Sequence, residues 1–111
     1  MNFNFQQMMK QAQMQAKELQ KKFSDMQNGL EHLDLTGESG GGKVKVTANA
    51  KGTVKKVEID PSLFVAEERE VVEDLIVAAL NNAKRKAEEA TNERMRELGI
   101  SPDLLKMSGL A

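Results

Sequence analysis

The chain has 111 residues with 16 basic and 17 acidic side chains and a net charge of −1, enough for one domain with a modest core. It has no cysteine, tryptophan or tyrosine and only four phenylalanines, so disulfides and thiolate metal sites are excluded and seven methionines take up part of the core filling. No apolar run approaches the roughly 20 residues that span a membrane, and the opening Met1-Asn2-Phe3-Asn4 has neither the basic nor the apolar region of a secretory signal. The expectation is a cytoplasmic protein of a single domain over 1–111, loose at about 1–5 and about 100–111.

Residues 5 to 26 place Phe5, Met9, Ala12, Ala16, Leu19, Phe23 and Met26 at steps of four and three. That spacing predicts a long amphipathic helix, nearly a coiled coil. From Phe5 to Asn28 it spans about 36 Å, whereas a compact domain of this size has a radius of gyration near 13 Å. The helix must project or find a partner. Asn28-Gly29 is a natural stop, and Leu30 and Leu33 allow an end nearer residue 33.

Leu33 and Leu35 then begin a strand, and Gly37 to Gly42 reads as a flexible connection. Val44, Val46 and Ala48 alternate with Lys43, Lys45 and Thr47, a strand with one wet face. Asn49 to Gly52 supplies a turn. Thr53 to Asp60 forms a third strand with Val57 and Ile59 inward, and Val54 is out of phase, so a bulge is expected near Lys55. These three strands make an antiparallel meander.

Asp60-Pro61-Ser62 ends the strand, and a second long helix is expected from about Glu67 to Leu98. Its stretch from Val71 to Leu80 is apolar nearly all round, which predicts the sheet on one side and a second subunit on the other, with Val72, Leu75, Ile76, Ala79 and Leu80 as interface residues. Beyond Asn81 the apolar pattern thins to Ala83, Ala87, Ala90 and Leu98, so this half reads as another exposed extension; Ser101-Pro102-Asp103 suits a last capped turn. The fold class is α+β, with order α-β-β-β-α, two long projecting helices and a homodimeric assembly.

The charges are blocked rather than mixed. Residues 1–22 carry a net +3 and 43–56 a net +5; 57–83 carry −6, and 84–96 return to +2. Lys10, Lys17 and Lys21 form a stripe opposite the apolar seam of the first helix, among glutamines, with Lys22 nearby. Lysines with polar amides suit phosphate contact without base reading. Lys84, Arg85, Lys86, Arg94 and Arg96 form a second basic group, but Glu88, Glu89, Glu93 and Glu97 can pair with it along the helix. Lys43 and Lys45 share a strand face without an aromatic platform, which argues against single-strand stacking.

Other chemistries find no support. Gly37 to Lys43 has the G-x-x-x-x-G-K spacing of a phosphate loop, but Val44 stands where serine or threonine is required, and the loop joins two strands. A glycine hairpin is the better reading. His32 is the only histidine and has neither a metal partner nor a signalled nucleophile. The acids from Glu67 to Asp74 fit the start of a helix on a solvated face. No catalytic, metal, cofactor or small-molecule site is expected, and the chain is not read as an enzyme.

Two segments carry a family resemblance: Thr36 to Asn49 (TGESGGGKVKVTAN) and Val54 to Leu63 (VKKVEIDPSL) closely resemble the YbaB/EbfC family of bacterial nucleoid-associated proteins. Met8 to Met14 (MMKQAQM) and Glu73 to Ala83 (EDLIVAALNNA) look like the flanking helices of that family, so the likeness covers about residues 8–90. The resemblance implies a tweezer-like homodimer with an α/β core and projecting helices. It implies binding of double-stranded DNA with little sequence preference in the bacterial cytoplasm and nucleoid. It also directs attention to the basic residues of both helices, Lys10, Lys17, Lys21, Lys22, Lys84, Arg85, Lys86, Arg94 and Arg96, as DNA contacts. Ala50 departs from the family, which often has glycine after the asparagine, and the tail lacks the common Pro-Gly ending. The competing reading is a protein-interaction or chaperone-like dimer whose methionine-rich arms adapt to many partners. Net acidity and the charge mixture of the second helix favour it.

Overall fold

A computed structural model describes residues 2–99, with side chains from Asn4 onward. The order is α1 (Asn2–Glu31), β1 (Asp34–Ser39), β2 (Val44–Asn49), β3 (Val54–Ile59) and α2 (Arg69–Glu97), the expected α-β-β-β-α arrangement. The strands form one antiparallel sheet in the order β1-β2-β3. Helix α1 runs from Asn2. The expected tail beyond residue 99 and its capped turn at Ser101 lie outside the described residues.

Alternation in β2 sets the layers. Val44, Val46 and Ala48 face α2 and are buried, while Lys43 and Lys45 are exposed. With Leu63, Ala79 and Ala83 they form the main core, edged by Ile59, Val72, Leu75, Ile76 and Leu80. The bulge falls where the phase of Val54 placed it: Thr47 pairs with Lys56 and Ala48 with Val54, so Lys55 has no partner in the ladder.

Three expectations change. First, the glycine segment is not a free connection from Gly37. Strand β1 continues to Ser39, and only Gly40–Gly42 turn, all at positive φ. Gly37 is buried under α2, where a Cβ would collide with the Ala79 carbonyl and the Ala83 backbone. Helix and sheet therefore approach more closely than any side chain at 37 allows. Ser39 Oγ donates to the Leu75 carbonyl and Asn82 Oδ1 accepts from the Glu38 amide, fixing this contact.

Second, the later half of α2 is not an exposed extension. Ala83, Ala87 and Met95 are buried. Met95 joins Met26, Leu30 and Ala50 in a second core, with Phe23, Leu33, Leu35, Ala90 and Leu98 around it. Small alanines let the helix lie close to β1 and the root of α1. Third, Val57 faces the α2 side of the sheet opposite buried Val46, yet remains 44% exposed. Helix α2 covers β1 and β2 and stops short of β3.

The result is long and thin, 80 × 23 × 18 Å, with a radius of gyration of 20.9 Å. Two helices of 30 and 29 residues measure about 45 and 43 Å. A length near their sum means that α1 runs on beyond the body: its residues 4–22 are all exposed, and only its end, from Phe23, enters the second core.

Candidate nucleic-acid interface

Helix α1 leaves the body as an arm, and its lysines stand on it without protein partners. Lys10, Lys17, Lys21 and Lys22 are all exposed, and none forms an ion pair among the described residues. Positions 10, 17 and 21 fall within about 40° of one another around a helix of 3.6 residues per turn. Lys22 lies off that line, beside Glu18 one turn earlier. The stripe from Lys10 to Lys21 is about 16 Å long and faces away from the apolar seam.

The basic residues of α2 are arranged otherwise. Lys86 Nζ donates to the Thr36 carbonyl at 2.7 Å, which ties it to β1. Arg96 pairs with Glu93 at 3.5 Å. Arg94 lies beside Gly29 of α1, and Lys84 lines a groove next to β2 and the following turn. Arg85 is exposed. These five residues reach different neighbours and do not converge on one surface.

The strand lysines are offset by acids, across the sheet for Lys45 and Lys55 and within β3 for Lys56. Lys45 stands between Glu38 on β1 and Glu58 on β3 in register. Lys55 pairs with Asp34 at 2.8 Å and Lys56 with Glu58 at 3.0 Å. The hydrogen bond from Lys56 and its charge hold the Glu58 carboxyl below its ordinary range. Asp60 is also held low, by hydrogen bonds from Ser62, whose amide reaches Oδ1 at 2.9 Å. The wet face of the sheet is thus an alternating charge lattice, not a basic patch.

Charge is segregated along the molecule. Glu67 and Glu68 stand just before α2, Glu70, Glu73 and Asp74 lie near its start, and the helix ends against the root of α1. The acids therefore sit at the end away from the basic arm. His32 Nδ1 lies 2.8 Å from the Asn28 carbonyl, a bond to its own helix end. No group of three or more potential metal ligands occurs among the described residues, and no described helix is long and apolar enough to cross a membrane.

The residues assigned to a subunit interface divide. Ala79 is wholly buried in the core of its own protomer and has no surface to offer a partner. Val72, Leu75, Ile76 and Leu80 also pack on that core but keep part of their surface. The larger uncovered apolar surface lies at Val54 and Val57 on β3, at Val71 and Val77 on α2, and at Phe64 and Val65 between them. A groove of about 720 Å³ runs beside Val54, floored by Ala48, Ala50, Ala83 and Ala87. Sequence periodicity could place Val57 on the inward face but could not show that the helix would miss it.

Known proteins share both sequence and shape with this chain. A nucleoid-associated protein of Bradyrhizobium diazoefficiens is 52% identical over 94 residues, covering 81% of this chain and 89% of the relative. One from Afipia carboxidovorans is 54% identical over 84 residues, covering 76% and 80%. A crystal structure of an uncharacterized protein from Helicobacter pylori superposes with a TM-score of 0.67 at 28% identity, covering 75% of this chain and 87% of that one. The model of the YbaB/EbfC DNA-binding family matches residues 1–101. With that model spanning nearly the whole chain and relatives about half identical over most of their length, the chain belongs to the YbaB/EbfC DNA-binding family.

Proposed function

We propose that this chain is a homodimeric nucleoid-associated protein that binds duplex DNA largely through phosphates, with little sequence preference, in the bacterial cytoplasm and nucleoid. The observation that carries the reading is the unpaired lysine stripe Lys10, Lys17 and Lys21 on an arm clear of its own body. Lysine is a point charge that neutralises a phosphate and carries no fork to match a base edge. Its positions on a rigid helix favour one side of a duplex backbone, and the acidic end of α2 keeps the rest of the surface from competing. The names of the curated relatives support the nucleoid assignment.

Two copies are held together on the uncovered side of β3. Val54 and Val57 continue the face of the buried core past the edge of α2, and the partly exposed Leu80 lines the same groove as Val54. Burying that face removes apolar surface from water at about 25 cal/mol per Å². It also leaves both arms free.

Gel-shift titration against unrelated duplexes at two salt concentrations tests the DNA reading. Affinity should fall steeply with salt, with a log–log slope of about −0.9 per phosphate neutralised. The variant Lys10→Ala/Lys17→Ala/Lys21→Ala should bind every duplex more weakly and with a shallower slope. Binding indifferent to salt, or a loss confined to one sequence, would refute phosphate-dominated contact.

A further inference from the structure

The free part of α1 has more order than a solvated arm requires. Apolar residues occupy every four-three position from Phe5 to Leu30, with only Met8 and Met14 apolar off that seam on the free arm. At the root, Phe23, Met26 and Leu30 are used by the second core. Phe5, Met9, Ala12, Ala16 and Leu19 are not used at all, and Phe5 is 66% exposed. A helix that lies on a sheet needs a broad stripe, whereas two positions in seven is the seam by which one helix grips one other helix.

The residues flanking the seam say which helix. One flank is Gln6, Gln13, Gln20 and Gln27, a glutamine every seven residues. The other begins with Met8 and Gln15. These are the positions where charge selects a partner and sets its direction. Over the free arm as far as Gln20 they are neutral, so an acidic or basic helix finds no complement. An identical helix meets no like-charge repulsion.

Side-chain size settles the direction. In a parallel pair Phe5 would meet Phe5 and Met9 would meet Met9, followed by two successive alanine layers at Ala12 and Ala16. Such a seam is crowded at one end and hollow at the other. In an antiparallel pair Phe5 lies opposite Ala16 and Met9 opposite Ala12, and the two-fold repeats both layers. Every layer then joins one large and one small side chain.

We propose that the free half of α1 is a homotypic docking surface that pairs antiparallel with α1 of a second copy, Phe5 against Ala16 and Met9 against Ala12. Lys10 and Lys17 stand one place beyond the glutamine flank. In the antiparallel pair these lysines from both helices share one face. This contact is distinct from the β3 face. A protomer with two different two-fold surfaces builds an open chain of copies instead of a closed dimer. The overlap is only about 18 Å long, so one arm pair is weak. Many pairs between molecules already held on DNA act together and bridge duplexes.

The chain has no cysteine, so introduced thiols report without background. Full-length Met9→Cys and Ala12→Cys proteins are mixed in equal amounts with oxidised glutathione in the absence of DNA. The mixed 9–12 disulfide should outweigh both homotypic products. A predominance of 9–9 and 12–12 products, or cross-linking no greater than that of a Gln7→Cys control on the outer face, would overturn the pairing. In sedimentation equilibrium, Phe5→Gln/Met9→Gln should weaken the arm-dependent association about tenfold or more with unchanged helical circular dichroism. Unchanged association would also overturn it. Lys10→Ala/Lys17→Ala/Lys21→Ala should keep the cross-link while losing DNA, so failure of the DNA reading and failure of the arm pairing give different results.

Discussion

At the scale of single residues, close approach and local hydrogen bonds decide more than hydropathy. Gly37 is the sharpest case. Its missing side chain lets the α2 backbone at Ala79 and Ala83 rest against β1. Gly37→Ala should destabilise the fold by about 3 kcal/mol, read as a lower midpoint in urea denaturation with the α-β-β-β-α circular dichroism retained. Gly41→Ala tests a different effect, since its added methyl meets open space and only the positive φ of 67° resists it; about 1 kcal/mol is expected. Charge gives a pH prediction. Glu58 and Asp60 are both held below their ordinary values in the fold, by Lys56 and by Ser62 respectively. A depressed carboxyl contributes stability above its unfolded pKa and loses it as pH falls through the folded value. Acid destabilisation should therefore begin as pH falls into the ordinary carboxylate range, near pH 4, and continue below it, and Asp60→Asn should flatten that limb. The glycine run was legible as a turn because glycine is rare elsewhere in the strands. The demand on Gly37 was not, because it is imposed by a helix more than forty residues further along the chain.

At the scale of elements, the root of α1 determines whether the arm is held at a fixed angle. Met26 and Leu30 are buried against Ala50 and Met95, and the Ala50 amide donates to the carbonyls of Leu30 and Leu33. Leu30→Ala should cost about 3 kcal/mol and free the helix from the body. Amide exchange should then rise in residues 23–31 while β2 stays protected. The elements themselves were readable, because four-three spacing and strict alternation are different periods. Even the bulge at Lys55 followed from the phase of Val54 against Val57. The course of α2 was harder. Alanines at 83, 87 and 90 carry little hydrophobic signal, so they suggested exposure. In the structure their small size brings α2 close to the sheet and the root of α1. A residue that packs by being small looks, in a linear pattern, like a residue that does not pack. The basic sites show the same limit: the isolation of Lys10, Lys17 and Lys21 follows from an arm too long to hide, whereas the neutralisation of Lys45 depends on Glu38 and Glu58 in neighbouring strands.

At the scale of the whole molecule, an 80 Å rod with a sheet only two-thirds covered is an incomplete object. Helix α2 satisfies β1 and β2, and the face of β3 with Val54 and Val57 stays open. Both valines lie on the core side of the sheet opposite Ala48 and Val46, so the open face is the continuation of the core and not a scatter of surface residues. A second copy that closes this face links folding to association. The thermal midpoint of the unmodified protein should rise with protein concentration, because a partner that binds only the folded chain stabilises it by mass action. Val57→Asp places a charge in the contact while leaving Val44 and Val46 in place. It should cost the single protomer only about 1 kcal/mol, abolish the concentration dependence and sediment as one chain. Leu75→Asp acts on the protomer's own core, where Leu75 packs over Gly40, and should lose structure and association together. If Val57→Asp remained a dimer of unchanged midpoint, the β3 face would be excluded as the contact and the partly exposed rim of α2 at Val72, Ile76 and Leu80 would have to carry it.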